Sequence, residues 1–279
     1  MRLHPFDQAI ALHADGPDVF AGHCGAAYWN MVGPFGGVSA AIALRAVLQH
    51  PALLGEPLAL TVNYAAAVAQ GPFKVSARAA RTNRSTQHWT VDLSQTDAAG
   101  VTASVLTATV VTALRRATWS GSDIAAPPMP PARAFARTSA PAAVEWFNRY
   151  EVRTVAGGIP GTPPESPNPA PAEFASLTQL WMRDDPPRDL DHCSLAALAD
   201  VFYPRIFLRR GRRGPVGTVS MTVYFHAGAA ALRGCGSGFV LGQARAQVYG
   251  AGFFDQTAQL WSESGLPLAT SSQIVYFKD

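Results

Sequence analysis

Cysteine is scarce in this chain of 279 residues: Cys24, Cys193 and Cys235 are far apart and odd in number. That excludes a disulfide framework and a Cys-x-x-Cys metal site, and leaves three reduced, structural thiols. Lysine is rarer still, occurring only at Lys74 and Lys278, so the net charge of +3 comes almost wholly from arginine. Such an excess is too small to imply nucleic acid, whose binders carry a clustered basic stripe with interleaved stacking aromatics. No apolar run reaches the ~18–20 residues of a membrane span, and Met1-Arg2-Leu3-His4-Pro5 lacks a signal-peptide core. The expected place is therefore the cytoplasm. The seven histidines form no ligand-spaced cluster and no Gly-x-Ser-x-Gly elbow occurs, so metal and serine-hydrolase chemistries are disfavoured and no cofactor is expected. Gly236-Ser237-Gly238-Phe239-Val240-Leu241-Gly242 has the wrong spacing for a dinucleotide loop and leads into strand rather than helix.

Charge is also sparse, at 15% against 48% hydrophobic residues, which argues for a compact or associating protein. Two stretches, 58–110 and 216–277, read as worn copies of one strand-rich pattern. Leu60-Thr61-Val62-Asn63-Tyr64 aligns with Met221-Thr222-Val223-Tyr224-Phe225, and the turn Asp97-Ala98-Ala99-Gly100 with Glu263-Ser264-Gly265. That turn alignment sets Gln273 against Ala108. A repeat above ~100 residues is a duplicated domain rather than a solenoid. Each copy is expected to be a helix followed by a meander of antiparallel strands. The first helix covers 40–48, entered from Gly33-Pro34-Phe35-Gly36-Gly37 and stopped by Pro51, with strands at 58–66, 73–82, 87–96 and 101–112. The second covers 194–202, stopped by Pro204, with strands at 216–226, 238–250, 252–263 and 267–277. A Pro/Ala-rich run containing Pro127-Pro128-Met129-Pro130-Pro131 reads as a semi-rigid linker. The expected division is 1–118, a linker 119–143, and 144–279 with a loop insertion from Gly158 to Pro171.

Only the second copy carries a polar trio where the first has apolar or small residues. Asp200 interrupts an apolar helix, on the face of Ala196, Ala197 and Tyr203. It is either a solvated helix aspartate or a carboxylate aimed into a gap left by small alanines. Thr218 opens a strand and falls by alternation on its more polar side. Gln273 lies in the last strand beside Val275 and Phe277, where its amide either satisfies neighbouring backbone or orients a polar ligand.

Taken in order, these residues resemble the acyl-CoA thioesterase II (TesB-like) double-hotdog family. The matching stretches are Leu198-Ala199-Asp200, Gly217-Thr218-Val219-Ser220-Met221 through His226, and Ala269-Thr270-Ser271-Ser272-Gln273. Gly33-Pro34-Phe35-Gly36-Gly37, Arg81-Thr82-Asn83-Arg84-Ser85 and Trp181-Met182-Arg183 add to them. The resemblance covers nearly the whole chain, and its specificity lies in the order and spacing of short motifs. It implies an α+β double hotdog, two antiparallel sheets each wrapped on a helix and joined into one, and hydrolysis of an acyl-CoA substrate by water. Asp200 would be the base, with Thr218 and Gln273 holding the water. Gly36 or Gly37, at a helix start where N–H groups are unpaired, would face Asp200 across the seam and receive the oxyanion; the alternative is a simple turn. Arg209 and Arg210, in the run Arg209-Arg210-Gly211-Arg212-Arg213, and Arg84 could grip coenzyme A phosphates or be solvated surface residues. Exposed sheet edges with a high apolar fraction are compatible with a homo-oligomer.

Two rivals remain at this level. A hotdog hydratase or dehydratase wants an Asp and a His acting together, and His192 lies eight positions before Asp200. A non-catalytic acyl-CoA or lipid binding module would share the fold, since fold alone does not carry activity.

Overall fold

The computed structural model describes residues 3–139, 144–158 and 176–278. The expected insertion from Gly158 to Pro171 lies, from residue 159 on, outside them, as does the end of the expected linker. Five α-helices, three short 3-10 turns and thirteen strands appear among the described residues. Helix α1 (Pro5–Ala9), strands β1 (His13–Ala14) and β2 (Val19–Cys24), helix α2 (Gly36–Leu48) and strands β3 (Glu56–Tyr64), β4 (Gly71–Thr82), β5 (Thr86–Thr96) and β6 (Thr102–Ala113) build the first half. The second half runs β7 (Tyr150–Ala156), β8 (Thr178–Asp184), α3 (His192–Leu198), α4 (Arg205–Arg210), β9 (Val216–Phe225), α5 (Ala229–Cys235), β10 (Val240–Arg245), β11 (Tyr249–Gly250), β12 (Phe253–Ser262) and β13 (Pro267–Phe277). The strands form one antiparallel sheet in the order β1-β2-β4-β5-β6-β3-β9-β13-β12-β10-β8-β7, with β11 on β12. Neither half is a simple meander: β3 leaves the helix and pairs with β6, because its other edge is taken by β9 of the second half.

The β3–β9 seam is where the duplication becomes geometric. Thr61 pairs with Thr222, and their hydroxyls meet at 3.0 Å. Around that pair the halves repeat each other down to an irregularity, since Leu58 in β3 and Val219 in β9 both drop out of register with their neighbours. With Thr61 matched to Thr222, Leu60 corresponds to Met221. Leu60 pairs with Val110 and Met221 with Gln273. Gln273 therefore replaces Val110, not Ala108; the turn alignment slipped by one pleat because the loops and bulges between turn and seam differ.

Helix α2 is buried on nearly every side, as an apolar helix must be when a sheet wraps it. It starts at Gly36, earlier than expected, so two glycines assigned to a loop belong to its first turn. Helix α3 differs more. Asp191 caps it by accepting from the Ser194 N–H at 2.8 Å, so it begins at His192. It ends at Leu198, so Asp200 lies beyond the helix and the expected helical face is void. Small side chains, Ala40, Ala41 and Ala43 of α2 and Ala196 and Ala197 of α3, pack in one hydrophobic core continuous across both halves.

Strands β7 and β8 were not anticipated. Their residues are buried on both faces along much of their length, which removes the alternation that marks a strand. The Pro/Ala-rich run is likewise no free spacer. Ala126, Met129, Ala132 and Phe135 cover Trp181, Leu241 and Trp261, and the Trp181 indole donates to the Pro130 carbonyl at 3.1 Å. It acts as a strap over the outer face of the second half. No helix among the described residues is long and apolar enough to cross a membrane.

Candidate active site

Asp200 is set by the way α3 stops. After Leu198 the chain tightens: the N–H of Asp200 donates to the Ala197 carbonyl at 3.1 Å and that of Val201 to Leu198 at 3.2 Å. Pro204 cannot continue the ladder, and α4 starts afresh behind it. The turn aims the Asp200 carboxylate at the first turn of α2. There both glycines are required by closeness. A Cβ on Gly36 would stand 2.8 Å from Asp200 Oδ2, and one on Gly37 would stand 2.6 Å from the Ala197 carbonyl oxygen.

Gln273 and Thr218 come from the sheet beneath. Gln273 Nε2 donates to Asp200 Oδ1 at 2.9 Å and also contacts Met221 Sδ at 3.4 Å. Thr218 pairs with Val275, two residues from Gln273 and on the same face, and its hydroxyl lies 3.4 Å from Gln273 Oε1. Strict alternation along β9 puts Thr218 on the opposite face from Met221. The bulge at Val219 reverses that: one unpaired residue shifts the phase of the pleat, swings Val219 outward and brings Thr218 to the Met221–Gln273 side. Asp200, Thr218 and Gln273 thus meet in one place.

Burial pushes the Asp200 carboxyl up to about 7, against the opposing pull of the Gln273 amide and the Gly37 N–H, which both hydrogen-bond to it. The Gly37 N–H is thereby committed to Asp200 and does not face an oxyanion. Tyr64, which the sequence reading passed over, donates its hydroxyl to the Gly36 carbonyl at 2.9 Å. That carbonyl and the Gly37 N–H share one peptide plane, so Tyr64 and Asp200 grip it from its two ends. Burial first, and then the nearby Asp200 charge, keep the Tyr64 phenol well above its ordinary range and so neutral. A signal for it existed: Tyr64 stands where the second copy has Phe225, a hydroxyl added to the first copy just as the trio is added to the second.

The trio opens into a groove of about 560 Å³, whose walls include Gly36, Tyr64, Trp146 and Tyr203. Trp146 stacks on Phe35 at a centroid separation of 4.1 Å, which makes a rigid aromatic side. Gln256, buried and paired across the strands with Gln273, also lines it. Of the arginine run, Arg213 lines the groove, whereas Arg209 and Arg210 sit exposed on the last turn of α4 and are not part of its wall. Arg84 lies exposed in the turn between β4 and β5, also outside the wall. His192 is buried at the opposite end of α3 from Asp200, against Phe225. Among the described residues no three metal-ligating side chains gather.

Comparison with known proteins agrees with this architecture. Residues 26–114 match the model of the acyl-CoA thioesterase N-terminal domain, and residues 121–277 that of the C-terminal domain. Among solved structures, a conserved protein of unknown function with a hot dog fold from Alicyclobacillus acidocaldarius is 44% identical, with a TM-score of 0.91, 100% of this chain covered and 99% of that one. A putative thioesterase II from Thermobifida fusca YX superposes at a TM-score of 0.78 with 18% identity, over 100% of this chain and 99% of that one. The acyl-CoA thioesterase II TesB2 from Mycobacterium marinum does so at 0.73 with 17% identity, over 98% of each chain; these two share the fold. No curated protein matches by sequence. With both domain models matched in order along a double hotdog, the chain belongs to the acyl-CoA thioesterase family.

Proposed function

We propose that this protein hydrolyses acyl-CoA thioesters to a free carboxylic acid and coenzyme A by direct attack of water. The observation that carries the reading is the hydrogen-bonded set Asp200–Gln273–Thr218 facing the start of α2 inside one groove. A carboxylate with a pKa near 7 is a stronger base than an ordinary one and is still ionised in part at neutral pH. Asp200 takes a proton from water as the oxygen bonds to the thioester carbon. Thr218 and Gln273 hold that water, having no basicity of their own to offer. The N–H of Gly36, at the first position of α2 and in the groove wall, is the donor for the developing oxyanion; Gly37 instead steadies the base. When the carbon–sulfur bond breaks, the proton on Asp200 passes to the leaving thiolate and the carboxylate is restored. Arg213 at the groove is the cation for coenzyme A phosphates in this reading.

The placement of His192 at the far end of α3 disfavours a hydratase, which needs an imidazole beside the carboxylate. The test is release of free thiol from saturated acyl-CoA set against hydration of enoyl-CoA. Hydrolysis of the first with no turnover of the second is expected. Binding of acyl-CoA without thiol release would end the proposal in favour of a binding module.

The pH profile adds a second check. Only ionised Asp200 acts as base, so kcat/KM should fall about tenfold per unit below a pH near 7. Tyr64→Phe frees one end of the Gly36–Gly37 peptide, which weakens the Gly37 N–H bond that lowers the Asp200 pKa. The acid limb should then move to higher pH and kcat should drop. A lower melting temperature with an unmoved profile would reduce Tyr64 to a packing role.

A further inference from the structure

A second cavity, of about 270 Å³, lies in the first half between α1, the end of β2, α2 and the sheet. It has no part in the chemistry described so far. Its inner walls are apolar and buried: Val38 and Ile42 of α2, Phe73 of β4, Leu93 of β5, and Cys24 of β2. Its outer rim, Gln8, His23 and Gly25, is exposed. Three residues, Pro34, Ser39 and Val68, line both this cavity and the groove that holds Asp200, so the two spaces are separated by a single layer of side chains. Ser39 is the small member of that partition, one turn along α2 from Gly36.

Resting on the hydrolase reading, we propose that the smaller cavity receives the distal part of medium- and long-chain acyl groups, which pass Ser39 on their way from the thioester. The chemistry fits a hydrocarbon tail. The inner walls carry no charge, burial of methylenes against them is favourable, and the hydroxyl-bearing residues among them are Ser39 and the buried Tyr28. Because the far end opens between α1 and β2 rather than on a blunt wall, chain length has no abrupt upper limit. Short acyl groups stay in the groove and do not reach it.

Cys24 gives two independent readouts. Cys24→Phe fills the chamber, and the ratio of kcat/KM for palmitoyl-CoA to that for acetyl-CoA should fall by about tenfold or more. An unchanged ratio overturns the proposal. The thiol itself also reports occupancy without turnover. In Asp200→Asn, alkylation of Cys24 by N-ethylmaleimide, followed by peptide mass spectrometry, should be slowed by palmitoyl-CoA and not by acetyl-CoA, with Cys235, which lines neither cavity, as the internal control. Equal labelling with both ligands overturns it, even if the phenylalanine variant fails to fold. Absence of thiol release from any acyl-CoA by the wild type would defeat the hydrolase reading instead, and the labelling pattern would still decide the chamber.

Discussion

Asp200→Asn should lower kcat for acyl-CoA hydrolysis by roughly 10²–10⁴-fold, the usual contribution of a positioned general base, while acyl-CoA still binds. The asparagine oxygen still accepts from Gln273 Nε2 in a side chain of nearly the same size, so the groove keeps its shape while the proton acceptor is lost. Stability should move the other way. The folded-state pKa of Asp200 is raised, so between its unfolded value near 3.8 and about 7 the native state holds a proton that the unfolded state has released. Stability conferred at this position is thus present at low pH and declines as pH rises through that window, by about 1.4 kcal/mol per unit of the shift. Asp200→Asn removes the burden of an ionised buried carboxylate. Its melting temperature should exceed wild type at pH 8, with the difference vanishing towards pH 4. Full activity in the variant, or a stability gain that does not depend on pH, would show that Asp200 is neither the base nor buried as an ion.

Gly37→Ala should damage both stability and activity, small as the change is. Inside a helix, alanine ordinarily stabilises over glycine by roughly 0.5–1 kcal/mol. Here the new methyl meets the Ala197 carbonyl oxygen at 2.6 Å and the Phe35 ring at 2.5 Å. The first is backbone of α3, and the second is pinned by its stack on Trp146, so neither neighbour can yield cheaply. Overpacking of this kind costs typically about 1–3 kcal/mol and outweighs the helical gain. Separating α2 from α3 also pulls the Gly37 N–H from Asp200, so activity should fall with stability. Gly36→Ala makes a useful contrast. Its methyl would strike Asp200 Oδ2 at 2.8 Å, the end of a side chain that can rotate, so it should lose most activity with little loss of the denaturation midpoint. Equal midpoints for Gly37→Ala and wild type would refute the close approach of the two helices.

Much of the site was legible in one dimension because its residues break a local pattern. Asp200, Thr218 and Gln273 stand out against a copy that lacks them, and the strands around them follow period-two spacing closely enough to be found within a few residues. What spacing could not give was phase. Thr218 was assigned to the wrong face because a bulge, which belongs to the pairing between strands and not to either strand alone, shifts alternation by one residue. Asp200 was placed on a helix that stops two residues before it, since the capping by Asp191 and the tightening turn act at a boundary that apolar periodicity does not mark. The diversion of the Gly37 N–H to Asp200 depends on residues that meet only across the seam, and the Tyr64 bond to the Gly36 carbonyl depends on the packing of α2 against the end of β3.

The amino-acid order alone therefore determined that the chain is a duplicated strand-rich unit, and which three polar side chains set its second copy apart from its first. Composition, repeat and alternation are properties of neighbours along the chain. The folded arrangement decided which atoms of those residues face each other, that α2 and α3 share a core, and that a second apolar space lies one side chain away from the groove. Register and helix packing are set by long-range pairing, where a shift of a single residue turns a side chain from one face of the sheet to the other.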